Sequence, residues 1–203
     1  GAVSVLERAE GNDGQRDGPD GVLHVYHSGV NIARGPDSVL HLKSDLRNSS
    51  AGKGTTDVQA RASALCEALE RYSGMFRGDE PRRHGSYREL APLAVHPDGV
   101  QLFDRRQFED RVAWNRAHGP FHQVTEPFDE DAPLDWTPVW SLTERRRRLA
   151  PTSLLYYNAP DAGTGFCRAT SNGAAAGTSP EDAIVHGCLE LVERDAVALW
   201  WYN

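Results

Sequence analysis

One pattern, present twice, constrains this 203-residue chain more than any other feature. Gly54-Thr55 opens a run that carries Glu67, Glu70 and Arg71, and Gly177-Thr178 opens another that carries Glu190, Glu193 and Arg194. The two runs align without gaps at an offset of 123 residues, with Ala60 falling on Ala183. A Gly-Thr turn, a helix and Glu-x-x-Glu-Arg, repeated in one short chain, carries more weight than either copy alone. Glutamates three residues apart share one helix face, so each copy presents two carboxylates in the same direction.

The first run predicts a helix with Val58, Ala62, Leu65, Leu69, Tyr72 and Phe76 as one apolar stripe. Glu67, Glu70 and Arg71 lie opposite that stripe, among the small residues Ala60, Ser63 and Gly74. The second helix starts at Thr178-Ser179-Pro180, with proline pre-set for the first turn. There Ile184, Cys188, Leu191, Val192, Ala196, Val197, Leu199 and Trp200 leave a narrow polar strip, which predicts a largely buried helix. A lone Glu-Arg pair at i,i+4 usually decorates a solvated helix for a few tenths of a kcal/mol. Two matching pairs suggest more. If the helices meet, four carboxylates converge, and like charges ~5 Å apart at an effective dielectric near 20 repel by about 3 kcal/mol per pair. Against a total stability of roughly 5–15 kcal/mol, such a cluster needs cations or protons. All-oxygen ligation favours hard cations, Mg²⁺ before Zn²⁺. Mg²⁺ held by a few carboxylates takes water or phosphate oxygens as its remaining ligands, which points to a metal–nucleotide site.

Lys53 stands between two glycines just before the first helix, where its ammonium can reach a phosphate at the helix N-terminus. A solvated loop lysine is the equal alternative, and the residue order is not that of a Walker loop. The rest of the chain is less telling. Residues 1–21 read as a flexible linker, rich in glycine and acidic residues towards its end. Strands are predicted at Val22–Tyr26 and Val39–Leu42, helices around Ser86–Leu90 and Asp104–Arg116, and a hairpin from Trp136–Leu142 and Leu149–Tyr157. Phe166–Thr170 reads as a strand feeding the Ser171-Asn172-Gly173 turn. The Arg145–Arg148 run is either a charged, solvated hairpin tip or an attractor for an acidic peptide. His84, His96, His118 and His122 lack metal-ligand spacing. Together these elements predict an α+β fold with mixed β-sheets and both acidic helices facing one cleft.

Composition narrows the function classes. A formal net charge of −7 argues against a nucleic-acid binder, and no run has the length of a membrane span. Three cysteines, Cys66, Cys167 and Cys188, show no zinc spacing; Cys66 and Cys188 read as small buried hydrophobes within the helices, in keeping with a reducing cytoplasm.

Several longer stretches then add a resemblance. Ala51-Gly52-Lys53-Gly54, the run Ala62–Gly74, Trp136–Thr143, ATSNGAAAGTS, and HGCLELVERDAVALWWYN resemble the YcaO family, and within it the cyclodehydratases that form azoline rings in ribosomal peptides. The likeness runs collinearly from about Val22 onward. It implies an ATP-binding fold in which Glu67, Glu70, Glu190 and Glu193 hold Mg²⁺ against the nucleotide phosphates. It makes Arg194 a nucleotide-contacting arginine and puts Asp182 where many members have an acidic nucleotide contact; Lys53, Arg71 and Ser63 complete the candidate cofactor-binding set. Some members carry polar residues where Ala175 and Thr178 stand here. The pattern stops in mid-helix at Trp200–Asn203, so residues 22–203 are expected to be the N-terminal portion of a YcaO domain. No proton-transfer residue is identifiable.

The resemblance implies cyclodehydration of Cys, Ser or Thr in a ribosomal precursor peptide, driven by ATP, to thiazoline or oxazoline. Alternatives are thioamidation at the same ATP site and a non-catalytic ATP-binding scaffold for the peptide. Implied partners are the precursor peptide and a leader-binding, ubiquitin-activating-enzyme-like protein, with a homodimer as a further expectation.

Overall fold

The computed structural model describes residues 3–8, 23–30, 50–119, 122–160 and 164–202. The chain forms two compact units, one from residues 1–73 and 171–203 and the other from residues 74–170.

The first unit contains a three-stranded antiparallel sheet, β1 (Val3–Arg8), β2 (His24–Val30) and β3 (Ser50–Gly54), in the order β1-β2-β3. β2 pairs with β3 from His24 opposite Gly54 to Ser28 opposite Ser50. Helix α1 (Asp57–Ser73) lies on this sheet. The face it buries is Ala60, Ala64 and Ala68, at i, i+4, i+8 on one side of the helix. Their small size lets the helix backbone settle onto strand β3. A Cβ added to Gly52 would fall 2.0 Å from the Ala64 amide nitrogen and 2.3 Å from the Ala60 carbonyl oxygen, so only glycine fits there. Two bonds from β2 fix the helix along its length. Tyr26 donates its hydroxyl to Asp57 Oδ1 at 2.6 Å, and buried Ser28 donates to the Ala64 carbonyl at 2.7 Å.

This packing corrects the expected stripe. Val58, Leu65, Leu69 and Tyr72 are exposed, Val58 by 74%. A large apolar face cannot approach a strand as closely as the alanine face does. Val3–Arg8, inside the stretch read as a linker, is a strand paired with β2. The expected strand at Val39–Leu42 lies outside the described residues.

The first unit also contains helix α6 (Pro180–Tyr202). Only Gly187 is buried on it, against the expectation of a largely buried helix. Ile184, Val185, Leu189, Leu191, Val192, Val197, Leu199, Trp200 and Trp201 are each about half exposed or more, although Leu191 lies against Gly173. Cys66 and Cys188, expected as small buried hydrophobes, are exposed, and of the three cysteines Cys167 alone is buried.

The second unit holds the antiparallel sheet β4 (Arg83–Gly85), β5 (Leu134–Ser141) and β6 (Arg146–Pro151). Its core is Leu90, Ala94, Leu134, Trp136 and Leu149, with Tyr87, Phe128 and Phe166 packed against it. Trp136 is fully buried and donates its indole N–H to the Gly85 carbonyl at 2.9 Å. Between the strands run short helices α2 (Tyr87–Leu90) and α3 (Asp98–Gln101) and the longer α4 (Arg105–Ala117). Reciprocal capping boxes, Ser86 with Glu89 and Asp104 with Gln107, start α2 and α4. The expected hairpin is present as β5–β6. Its second strand ends at Pro151, which has no N–H for a ladder, and the one-turn helix α5 (Thr152–Leu155) follows. Phe166–Thr170, expected as a strand, adopts none.

The α+β class holds. Both described sheets are antiparallel throughout, with parallel pairing confined to the isolated bridges Met75–Tyr157 and Ala94–Leu149. The Arg145–Arg148 run is tied down at the hairpin end. Glu144 pairs with Arg146 and Arg148, and Arg148 also donates to the Leu93 and Ala94 carbonyls at 2.9 and 2.8 Å. Among the described residues no helix is long and apolar enough to cross a membrane.

Candidate metal and nucleotide site

Both helix starts in the first unit carry the same local bonds. The Thr55 hydroxyl donates to Gln59 Oε1 at 2.8 Å, and the Thr178 hydroxyl donates to Asp182 Oδ2. Gln59 N–H donates to the Thr56 hydroxyl at 3.2 Å, and Asp182 N–H to the Ser179 hydroxyl at 3.1 Å. Gly54 and Gly177 each lie against the first turn of their helix, where a Cβ would come within 2.6 Å of Ala60 N and 2.4 Å of Ala183 N. Every one of these pairs is related by the offset read in the sequence.

The correspondence extends to the acids. Glu67 accepts the Ala51 N–H on Oε2 at 3.0 Å, and two guanidinium N–H groups of Arg71 on Oε1 at 3.1 and 2.7 Å. Glu190 accepts the Gly173 N–H on Oε2 at 2.8 Å, and Arg194 on Oε1 at 3.2 Å. In both copies a backbone N–H from the segment before the helix fixes one oxygen and the arginine one turn later takes the other. Gly173 has φ +80°, a conformation that suits glycine. The Gly173 carbonyl oxygen would lie 2.5 Å from a Cβ at Gly187, so two glycines permit this close approach. The sequence reading missed these backbone anchors. Their only sequence signal is the Ser-Asn-Gly turn and a glycine within an otherwise apolar helix.

Glu70 differs. No hydrogen-bond donor among the described residues reaches it. Burial raises its pKa above the usual carboxylate value, the negative charges of Glu190 and Glu67 raise it further, and Arg71 partly offsets them. Glu190 therefore lies near enough to Glu70 to act on it electrostatically, and three of the four expected acids share one neighbourhood. Glu193 is exposed. Among the described residues no group of three His, Cys, Asp or Glu side chains is arranged to hold a metal ion. Arg71 and Arg194 belong to the acid cluster. Asp182 is exposed at the α6 start, and Ser63 is exposed on α1. Lys53 is a strand residue of β3, not a loop lysine. Side chains alternate along a strand and Gly52 and Gly54 face α1, so exposed Lys53 leaves the sheet on the face away from α1.

A family described as YcaO cyclodehydratases, ATP- and Mg²⁺-binding, matches residues 51–203. The chain belongs to the YcaO family. A heterocyclase solved in complex with substrate and cofactor is 42% identical, with a TM-score of 0.85 over 99% of this chain and 26% of that one. The heterocyclase TruD is 50% identical, with a TM-score of 0.65 over 71% of this chain and 21% of its own. An uncharacterized protein of Methanothermobacter thermautotrophicus is 30% identical over 152 residues, which is 74% of this chain and 33% of that protein. This YcaO chain thus spans a third or less of the length of the proteins it matches here. The two heterocyclases share the α+β architecture of mixed helices and sheets.

Proposed function

We propose that this chain contributes the metal- and nucleotide-binding portion of an enzyme that cyclodehydrates a ribosomal precursor peptide in the cytoplasm, using ATP. The observation that carries this reading is the gathering of Glu67 and Glu190, from two distant segments, near Glu70, whose charge Arg71 offsets only in part. Family membership and the likeness to two heterocyclases support the reaction type.

The chemistry of the donor set, rather than its present arrangement, suits Mg²⁺. It is all carboxylate oxygen, and Glu70, whose pKa is raised first by burial and then by Glu190 and Glu67, is a place where a cation would favour the charged form. Glu67, Glu70, Glu190 and Glu193 would hold the ion, which when bound offsets charge on a transferred phosphoryl group. Arg194 and Arg71 present planar forks suited to phosphate oxygens. Asp182 and Ser63 extend the nucleotide-contacting set, and Lys53, on the far sheet face, is the least well placed of it.

In the proposed reaction a Cys, Ser or Thr side chain of the peptide gives up its proton to solvent and adds to the preceding amide carbonyl carbon. The former carbonyl oxygen takes the terminal phosphoryl group of ATP, which leaves ADP. That oxygen then departs as phosphate while the amide nitrogen loses its proton and forms C=N, closing a thiazoline or oxazoline. The peptide loses one water overall. A leader-binding, ubiquitin-activating-enzyme-like protein delivers the precursor.

Binding of nucleotide to the protein from its full reading frame, with and without Mg²⁺, tests the site. Glu67→Gln and Glu190→Gln should each weaken Mg²⁺-dependent ATP binding by about 10–100-fold. Binding that ignores both substitutions, or that ignores Mg²⁺, overturns the proposal.

A further inference from the structure

The two glutamate–arginine pairs are built alike in a way that simple surface decoration does not require. In each, one carboxylate oxygen is fixed by a backbone N–H that lies before the helix and the other is covered by the arginine four residues later. Glu67 and Glu190 therefore have both oxygens satisfied by the protein itself. The two arginines are the looser members. The Arg71 and Arg194 side chains are 42% and 54% exposed, against 29% and 21% for their glutamates. An arginine can swing away into solvent without unpacking the helix, whereas the backbone bond keeps the carboxylate oriented once the arginine has gone.

We infer that Arg71 and Arg194 are exchangeable caps on the metal-binding acids. Each holds the first glutamate of its motif while the site lacks a cation, yields that glutamate to Mg²⁺, and is then free to pair with nucleotide phosphate. The inference rests on the metal–nucleotide reading above and adds to it a reason why both motifs end in arginine. Binding of the cation and release of the two guanidiniums become one linked event, so metal and nucleotide support each other's binding.

Mg²⁺ titration of the nucleotide-free, metal-free full-length protein by calorimetry, at constant ionic strength, tests this without reference to turnover. Arg71→Gln and Arg194→Gln should each tighten Mg²⁺ binding by about fivefold, the scale of one partly exposed charge-assisted pair. Arg61→Gln is the control for net charge. Arg61 lies on the same helix outside the motif and pairs with Asp57 at 3.8 Å, so its loss should change Mg²⁺ affinity less than about twofold. Arg71→Lys, which keeps the charge but not the fork, should fall between wild type and Arg71→Gln. With Mg²⁺ saturating, Arg71→Gln and Arg194→Gln should weaken ATP binding. Equal shifts for Arg71→Gln and Arg61→Gln overturn the exchange, as does a lack of Mg²⁺ binding in every variant. A wild-type protein that binds Mg²⁺-dependent ATP while failing these comparisons loses only the exchange. One that binds no nucleotide loses the underlying reading.

Discussion

Gly52 sets how closely α1 approaches its sheet. Its α-carbon faces the backbone of the helix between Ala60 and Ala64, and one added methyl group would have to displace backbone rather than a flexible side chain. Gly52→Ala should therefore destabilise the protein by about 3 kcal/mol or more, at the upper end of overpacking effects, as read by denaturant unfolding. Glu70 sits at the opposite extreme, a place where the protein tolerates unfavourable charge. Its folded-state pKa is raised, so the folded state binds more protons than the unfolded state between the ordinary carboxylate value and the raised one. Stability of the metal-free protein then falls as pH rises through that window, and the cost persists at neutral pH. Glu70→Gln removes the charge, and the metal-free protein should melt higher at neutral pH. Because Glu70 retains part of its hydration, the gain stays below about 1 kcal/mol. The same substitution should lessen the stabilisation that Mg²⁺ with ATP confers, and thermal melts with and without both ligands read the two effects together.

At the scale of elements, sequence and structure agree on α1 and α6 as helices and disagree on which face of α1 is packed. Periodicity gives the helix, since Val58, Leu65, Leu69 and Tyr72 recur at helical spacing, but it ranks faces by hydrophobicity. The packed face is chosen instead by closeness of approach, and the face of Ala60, Ala64 and Ala68 wins because Gly52 lies opposite Ala60 and Ala64. Leu69 is 49% exposed, so Leu69→Ala should cost less than about 1 kcal/mol, where a buried leucine costs about 2–5. Chemical denaturation of the two proteins decides it. The candidate site was legible because gapless repetition identifies acids that one helix alone leaves ambiguous. Its anchors were not, since a backbone N–H at Ala51 or Gly173 has no letter in the sequence. The strand expected at Phe166–Thr170 failed for a related reason. Phe166 packs onto the core of the second unit and its carbonyl accepts from the Gln101 side chain at 2.9 Å, so tertiary contacts replace ladder pairing.

The whole molecule poses a different question, because its most hydrophobic helix is also one of its least covered. On α6 the residues Ile184, Val185, Leu189, Val192, Val197, Trp200 and Trp201 are exposed, Trp200 by 76%. Their sequence pattern is that of a buried helix, and contiguous exposed apolar surface on a soluble protein is an interaction surface or an aggregation hazard. The formal charge of −7 opposes association but is spread over the whole chain, and like-charge repulsion is screened within about 10 Å at ordinary salt. Apolar burial is not screened, and at roughly 25 cal/mol per Å² two tryptophans outweigh it. Residues 1–203 expressed by themselves should accordingly self-associate, with an apparent mass in sedimentation or light scattering that rises with concentration and with added salt. Replacing Trp200 and Trp201 together by glutamine should lower that association without lowering the melting temperature at concentrations where the 1–203 chain is monomeric, since the two rings contact each other, with centroids 5.9 Å apart, but are otherwise largely exposed. A wild-type chain that stays monomeric as concentration and salt rise would mean that α6 is covered after all, and that the expected burial of this helix is met within the chain itself.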